Sequence, residues 1–319
     1  MRLALLSPLL LTLLIALGTV GVSARAATAG QGAGPASASA PPGDAPSLHT
    51  LKNAAYRGID DAKQPIRLRD GRWAGPPVAP GSATVPRLEL VNDYVARGDL
   101  DGDGRDEALV VLAHSPGGSG TFFYVAVVSQ RQGRAVNLAT ALLGDRVQVR
   151  SLRVVDRRLL VDLVEAGPQD AACCPGQTAQ RAWTLRGKTL RQARSTQTPG
   201  TLSVADIGST EWALSHWRAE EPFTGESPPT LALVDGRLAG FSGCNRFFAA
   251  VTPGASAGEV RVSPPATTRR ACGEAEAAVE ARFTQLLGRV ERFAFTPGGL
   301  VLMYRTDAGE VGALRLRQP

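Results

Sequence analysis

The sequence predicts a mainly β protein, a β-rich α+β chain with two folded domains. Alternating apolar and polar runs separated by Gly, Asp and Pro recur through residues 48–192, and the pattern returns after residue 202 together with one amphipathic helix. The length of 319 residues suits two cores, because one core usually serves about 100 to 200 residues. A hydrophobic fraction of 44% with 20% charged residues is typical of a folded chain.

The first 26 residues have the pattern of a signal peptide. Arg2 gives a positive start, residues 9–17 form an apolar core, and Ala24-Arg25-Ala26 is a small-x-small cleavage pattern. An uncleaved membrane anchor is the alternative, because no charge lies between Arg2 and Arg25, but Pro8 and the following Gly, Thr and Ser favour cleavage. No cysteine lies near this point, so no lipid is expected. The sequence predicts export to the periplasm or secretion, with no membrane span after cleavage.

Two linkers are predicted. Residues 27–47 are almost entirely Ala, Gly, Pro and Ser, and we expect them to be disordered because they offer too little apolar surface to offset the entropy of ordering. A shorter linker is expected at residues 193–201, between the domains at 48–192 and 202–319. The net charge of +6 is a mild excess, and no run of five Lys or Arg occurs, so no nucleic-acid partner is predicted.

Residues 48–192 are predicted to form an antiparallel β domain with a short helix in front, within residues 48–59. Asp70-Gly71 joins two alternating runs, as in a two-residue hairpin turn. Runs rich in β-branched and aromatic residues predict further strands at 108–114, 121–130, 147–155, 158–166 and 181–187.

The segment GDLDGDGRDEALV in this domain has a metal-binding pattern. It places carboxylates at alternate positions, a glycine at the sixth, a backbone carbonyl at the seventh and a carboxylate at the ninth, which suits Ca²⁺. The residues at these positions are Asp99, Asp101, Asp103, Gly104, Arg105 and Glu107. The pattern resembles the loops of integrin-type propeller repeats and dockerin-like modules, which usually have Asp at the ninth position and occur in several copies in propellers. A solvated Asp- and Gly-rich hairpin loop is the alternative.

The four cysteines are expected to be oxidised in an exported protein. The adjacent Cys173 and Cys174 could bond to each other, pair with distant partners or stay reduced. Of the three possible pairings, we favour Cys244 with Cys272 and Cys173 with Cys174. The three histidines are scattered and no thiolate pair has the spacing of zinc ligands, so no zinc site is predicted.

The chain carries no recognisable catalytic motif. His114-Ser115 and Ser119 lie in a glycine-rich loop that lacks the strand-to-helix turn of a nucleophile elbow. HExxH, GxxxxGK and CxxC patterns do not occur in the sequence. We therefore expect no enzymatic activity, since a hydrolase would need acidic or nucleophilic side chains converging in a cleft.

Residues 202–319 are predicted to form a second β domain with one packed helix. Asp235-Gly236 joins two strands, and the second of them, residues 237–241, leads into a turn of small residues that contains Cys244. An amphipathic helix follows Cys272 and is expected to end at Gly288. Its apolar face is formed by Val279, Phe283, Leu286 and Leu287. Alternating apolar residues after the helix predict two or three closing strands.

This second region resembles the META domain, the HslJ-like family of small exported β proteins. The matching residues include Trp212, Leu214, Thr230, Leu231, Gly240, the SGCNRF block at 242–247, Thr268, Cys272, Glu280 and Phe283. The resemblance implies a curved antiparallel sheet with one packed helix and links to heat shock, antibiotic tolerance and envelope maintenance. It implies no catalytic residues. Phe248-Ala249 departs from the family, which often has a Gly leading to an aromatic residue there.

Two interpretations of the Cys244 motif stay open. In the architectural one, Gly240 and Gly243 allow tight turns, and a bridge from Cys244 to Cys272 clamps a strand to the helix. In the functional one, four residues surround a groove for an anionic or carbohydrate ligand. These residues are Asn245, Arg246, Arg269 and Arg270.

The sequence as a whole predicts a non-enzymatic protein of the bacterial cell envelope. It is expected to act by binding or in stress protection, with a ligand or an envelope protein as its partner and calcium as its one candidate cofactor. A calcium-dependent adhesion or recognition module is one alternative, and an inhibitor of an envelope hydrolase is another.

Overall fold

The computed structural model describes residues 45–60, 62–168, 170–171, 174–194 and 197–318, without the side chain of Asp93. The predicted signal peptide and nearly all of the predicted linker at 27–47 lie outside these residues. Cys173, one half of the predicted Cys173–Cys174 pair, also lies outside them.

Antiparallel strands dominate the described chain, as the sequence predicts. The helices are α1 (Leu48–Lys52), α2 (Glu274–Leu287) and a short 3₁₀ helix (Val204–Ile207). The first twelve strands are β1 (Ala55–Tyr56), β2 (Ile66–Arg67), β3 (Arg72–Ala74), β4 (Arg87–Gly98), β5 (Glu107–Ser115), β6 (Phe122–Arg131), β7 (Arg134–Asp145), β8 (Gln148–Val155), β9 (Arg158–Glu165), β10 (Gln177–Arg186), β11 (Thr189–Ala193) and β12 (Gly200–Thr201). The remaining strands are β13 (Trp212–Arg218), β14 (Glu221–Pro222), β15 (Thr230–Val234), β16 (Arg237–Phe241), β17 (Arg246–Pro253), β18 (Val260–Val262), β19 (Ala266–Thr267), β20 (Val290–Thr296), β21 (Gly299–Arg305) and β22 (Val311–Arg317). In the part of the chain that the structure describes, every helix is too short or too polar to cross a membrane.

The N-terminal strands form two five-stranded sheets and one small two-stranded sheet. The first large sheet has the order β3-β4-β5-β6-β7, and the second has the order β11-β10-β9-β8 with β12 beside β10. Strand β5 is buried on both faces. The second sheet covers one face through Leu109 and Val111, and the layer of α1, β1 and β2 covers the other through Val110 and Leu112. This burial explains the continuous apolar run in β5.

Most of the predicted N-terminal elements are present, with three differences. The Asp70-Gly71 turn has both residues at positive φ, 49° and 81°, but the first helix is only α1, because residues 55–56 pair as strand β1. The long strands β4 and β7 were not predicted. The predicted linker at 193–201 contributes strand β12 to the second sheet.

The C-terminal strands form one curved antiparallel sheet in the order β18-β17-β16-β15-β13-β22-β21-β20. Its two ends meet where Glu259 and Arg292 form a β-bridge and where the Phe293 N–H donates to the Gly258 carbonyl over 2.8 Å. The sheet is therefore nearly closed. Helix α2 packs into the core through Phe283, Leu286 and Leu287, which lie on the face that the sequence predicts.

Candidate functional site

The first candidate site is the loop that joins β4 to β5 together with Glu107, the first residue of β5. We call residues 99–107 the carboxylate loop. The Asp99 carboxylate accepts the N–H groups of Gly102 over 2.6 Å and Gly104 over 3.2 Å, and both glycines have positive φ, 85° and 84°. The Asp103 carboxylate accepts the N–H of Arg105 over 2.9 Å. The backbone of the loop therefore orients its own acidic side chains.

Three of the predicted ligands come together in this loop. Carboxylate oxygens of Asp99, Asp101 and Glu107 all lie within 4.8 Å of one another. Asp103 is not part of this group. Converging carboxylate oxygens are the donors that Ca²⁺ takes in proteins, so the geometry fits the predicted ion at three positions.

Glu107 is the deepest member of the group. Its side chain is fully buried; Oε2 accepts the N–H groups of Leu100 over 2.9 Å and Asp101 over 3.4 Å, while Oε1 has no hydrogen-bond partner among the described residues. Burial raises the pKa of Glu107 to about 7, against the opposing bond from Leu100 and with a further rise from the charge of Asp101. A buried carboxylate oxygen without a donor is unfavourable, and a bound cation would satisfy it.

Two arginines flank the carboxylate loop. Arg131 Nη2 lies 3.9 Å from Asp101 Oδ2, and the Arg157 guanidinium lies against Gly102, where a Cβ would sit 2.5 Å from its Nη1. The Arg131 side chain is 54% exposed, and exposed ion pairs contribute at most about 1 kcal/mol. Neither arginine donates a hydrogen bond to Glu107 Oε1, so neither takes the place of a cation there.

The second candidate site surrounds the cysteine pair of the C-terminal sheet. Cys244, in the turn between β16 and β17, is joined to Cys272, just before α2, by a disulfide that spans 28 residues with its Cα atoms 6.1 Å apart. The bridge fastens the sheet to the helix, as predicted. Cys174 is also disulfide-bonded, and its predicted partner Cys173 lies outside the described residues.

Asn245 is the centre of the hydrogen bonds around this bridge. Its side chain is 5% exposed. Nδ2 donates to Glu280 Oε1 over 3.1 Å and to the Arg270 carbonyl over 3.3 Å, and Oδ1 accepts from Thr268 Oγ1 over 2.8 Å and from the Arg270 N–H over 2.7 Å. The amide therefore links the turn, the segment before the helix and α2, which is an architectural role.

The other members of the predicted ligand groove are at the surface. Arg246, Arg269 and Arg270 have exposed side chains. Because the amide of Asn245 is buried and bonded inside the domain, it is not free to contact a ligand beside these arginines. The geometry thus favours the architectural interpretation of this motif over the groove.

Glu280 completes the network, and sequence analysis did not assign it this role. Its carboxylate accepts the Ser242 hydroxyl and the Asn245 N–H, the latter over 2.9 Å. The sequence position of Glu280 could have indicated this role. Glu280 lies three and seven residues before the buried Phe283 and Leu287, and so shares their face of the helix. A charged residue on an apolar face indicates a buried polar partner.

Two glycines let the chain pack closely in this region. Gly243 lies in the turn at φ 106°, and a Cβ there would be 2.4 Å from Val279 of α2. Gly240, expected in a turn, lies inside β16, where a Cβ would be 2.1 Å from the Thr230 carbonyl oxygen. Its role is therefore close approach between strands rather than a turn.

The C-terminal region is similar to a known protein family. The model of the META domain family matches residues 205–315. An NMR structure of a protein from Burkholderia xenovorans is 20% identical, with 40% of this chain and 95% of that chain covered and a TM-score of 0.29. A second NMR structure is also 20% identical, with 37% and 95% covered and a TM-score of 0.29. The comparison with curated proteins finds no match. Residues 205–315 of this chain form a META domain.

Proposed function

We propose that the chain is an exported, non-enzymatic protein of the cell envelope that serves in stress protection by binding. The observation that carries the proposal is the disulfide between Cys244 and Cys272, because such bonds persist in oxidising compartments and are rare in the cytosol. The predicted signal peptide supports the same location. The META domain at residues 205–315 adds a family link to stress and envelope roles.

The surroundings of His114 bear on the proposed absence of catalysis. His114 is 4% exposed near the end of β5, and its Nδ1 has no hydrogen-bond partner among the described residues. It is therefore not held as a base for Ser115 or Ser119 through that nitrogen. Burial lowers the pKa of His114.

Cell fractionation with intact-mass measurement tests the proposed export. We expect the protein in the periplasm or the culture fluid, with a mass lowered by the loss of residues 1–26 and with Cys244 and Cys272 protected from alkylation until a reductant is added. A matched variant that lacks residues 2–26 should stay in the cytoplasm with alkylatable thiols. Recovery of the wild type in the cytoplasm at full mass would contradict the proposal.

The carboxylate loop favours a second candidate function, calcium-dependent recognition by the N-terminal region. Its specific observation is the buried, unpartnered Oε1 of Glu107 beside Asp99 and Asp101. When bound, Ca²⁺ would supply the positive charge that three converging carboxylates lack. With the ion bound, Asp99, Asp101 and Glu107 would hold the β4–β5 hairpin in one conformation and present the carboxylate loop to a partner.

Calcium titration followed by calorimetry tests this candidate. We expect Asp99→Asn to weaken binding by about tenfold or more, because it removes one charged ligand, which is worth about 1.4 kcal/mol or more. Asp106→Asn is the matched control, since it removes an equal charge from a neighbour outside the group of three. The absence of saturable binding at about 1 mM Ca²⁺, the range of weak extracellular sites, would rule out the candidate.

A further inference from the structure

A cleft with a basic lining lies between strand β4 and the outer face of the META sheet. It has a volume of about 340 Å³ and is lined by Asn92 and Tyr94 of β4, His216 of β13, and Arg315 and Arg317 of β22, among others. We call it the basic cleft. None of these five residues belongs to the carboxylate loop or to the cysteine motif.

Irregular strands form its two walls. Strand β4 changes register against β5 between Leu90 and Val95, and Asn92 between them has a φ of 56°. Strand β13 changes register against β22 between Leu214 and His216. Bulges break the regular alternation of side chains and are common beside binding sites. Here they bring Asn92 and His216 into the lining of one cleft.

Two arginines give the cleft its charge. Arg315 and Arg317 are exposed and alternate along β22 with the buried Leu314 and Leu316, so both guanidinium groups lie on the outer face of the sheet. His216 is the cross-strand neighbour of Arg315. Its pKa is lowered first by burial and then by the charges of Arg317 and Arg315, against a smaller opposing effect of the Glu220 carboxylate. The imidazole thus lies in an electropositive environment.

These arginines lack a carboxylate partner among the described residues. No described residue of the lining is Asp or Glu, and neither Arg315 nor Arg317 takes part in a salt bridge between described residues. By contrast, Arg282, Arg289 and Arg292 of the same domain each have a carboxylate partner. Like charges on one face of a strand repel each other, so an anion in the cleft would remove an unfavourable interaction.

The remaining polar lining suits a molecule with hydroxyl groups. Hydroxyl and amide side chains donate and accept hydrogen bonds, whereas guanidinium groups bind phosphate and carboxylate in a planar, two-pronged manner. The hydroxyl and amide residues of the lining are Asn92, Tyr94, Ser215, Thr296 and Gln318.

The basic cleft continues into a second cavity that offers room for the body of a ligand. This cavity has a volume of about 730 Å³ and shares Asn92, Arg315 and Arg317 with the basic cleft. Unlike the basic cleft, it carries acidic side chains as well as basic ones. The acidic residues are Asp70, Glu89 and Glu220, and the further basic ones are Lys52, Arg69 and Arg72. The charge of Glu220 also acts on His216. The anionic group is therefore expected at the guanidinium groups of Arg315 and Arg317, neither of which pairs with a described carboxylate.

We propose that the basic cleft binds a small hydroxyl-bearing molecule through a phosphate or carboxylate group, which Arg315 and Arg317 hold. The inference rests on the proposed binding role and names the ligand class for it. The failure of this inference can be distinguished from the failure of the proposed function. Cell fractionation tests export and calcium titration tests the carboxylate loop, and neither measurement needs a ligand in the basic cleft.

Calorimetric titration of the full chain after signal removal tests the proposal, with glucose 6-phosphate and glucuronate as anionic probes and glucose as the neutral probe. We expect saturable binding of at least one anionic probe and none of glucose, and the tighter anionic probe identifies phosphate or carboxylate as the preferred group. Arg315→Gln with Arg317→Gln should weaken that binding by about tenfold or more for each arginine removed, because each loses a charge-assisted contact.

The matched control is Arg269→Gln with Arg270→Gln. It removes the same charge from two exposed arginines that do not line the cleft, and it should leave binding unchanged. Both double variants alter exposed side chains, so their thermal midpoints in the absence of ligand should match that of the wild type. Equal losses in the two variants, equal binding of glucose, or no saturable binding of either anionic probe would each overturn the proposal.

Discussion

Replacing both Cys244 and Cys272 with alanine is expected to lower the free energy of unfolding of the META domain by about 3 to 4 kcal/mol. The bridge spans 28 residues. Without it, the unfolded chain is no longer restricted to a closed loop, so its conformational entropy is higher. The loss is large beside the total stability of a domain, which is about 5 to 15 kcal/mol. Urea denaturation followed by the fluorescence of Trp212 and Trp217, both buried in this domain, measures the change.

The disulfide and the hydrogen bonds of Asn245 both connect the turn between β16 and β17 to the start of α2. Loss of the disulfide is therefore expected to affect the native state as well as the unfolded state. Cys244 is buried at 4% exposure beside Asn245, whose amide reaches Glu280 on α2. Without the bridge, the segment before α2 is held by the two bonds from Asn245 to Arg270 and by the helix contacts. We therefore expect the start of α2 to exchange its amide hydrogens faster in the variant.

The control is a variant with Cys173→Ala and Cys174→Ala, which also removes two cysteines but leaves the long loop closed. It should keep its urea midpoint and remain sensitive to reductant, whereas the Cys244 and Cys272 variant should show no further loss in the META domain when reductant is added. Equal midpoints for the wild type and the Cys244 and Cys272 variant would show that the bridge does not stabilise this domain.

The sequence predicted correctly those turns and helices whose formation depends on residues within one short segment. Asp235-Gly236 forms the expected turn with φ of 49° and 73°, because these residue types tolerate positive φ. Helix α2 is placed correctly since its apolar spacing and its ending at Gly288 are both readable within one segment. The Cys244–Cys272 pairing was favoured among three possible pairings, because one cysteine follows a predicted strand and the other directly precedes a predicted helix.

The missed strands depend on distant partners. Strand β4 lacks a regular alternation, because its register shifts around Asn92. Leu88 and Leu90 before the bulge and Val95 after it contact the same core, so the buried positions change from even to odd numbers. Strand β7, with two register shifts against β6, has the same difficulty. A bulge shows itself only through the strand that pairs with it, and a single sequence does not reveal that partner.

The candidate sites also combine features that the sequence shows with features that only the fold reveals. The spacing of Asp99, Asp101 and Glu107 was visible in the sequence, but the complete burial of Glu107 and its unpartnered oxygen depend on the sheets packed round β5. The basic cleft could not be predicted, because it joins residue 92 to residues more than a hundred positions away. Sequence patterns identify chemistry within one loop, whereas clefts between sheets require the fold.

In the absence of calcium, the wild type is expected to lose stability relative to Glu107→Gln by about 2 to 3 kcal/mol between pH 5 and pH 8. The pKa of Glu107 is about 7 in the folded chain against a usual 4.5. A raised pKa means that the folded state holds the proton more tightly than the unfolded state. The stability from this group is therefore full below pH 4.5 and is lost as pH rises towards 7.

The comparison with Glu107→Gln isolates this group from others that titrate nearby. His114 and His216 have lowered pKa values, mainly through burial, so their contributions rise with pH over part of the same window. Those contributions are common to both proteins and cancel in the difference. Urea denaturation at pH 5 and pH 8 with a chelator present gives the four free energies that are needed.

Added calcium should reverse the order of the two proteins at pH 8. The ion would keep the Glu107 carboxylate charged and satisfied, so the wild type gains stability as calcium is raised, whereas the amide of Glu107→Gln offers no charge and gains little. The variant should therefore be the more stable protein with chelator and the less responsive one with calcium. A pH-independent difference would show that burial does not perturb this carboxyl, and equal responses to calcium would remove Glu107 from the ion's ligands.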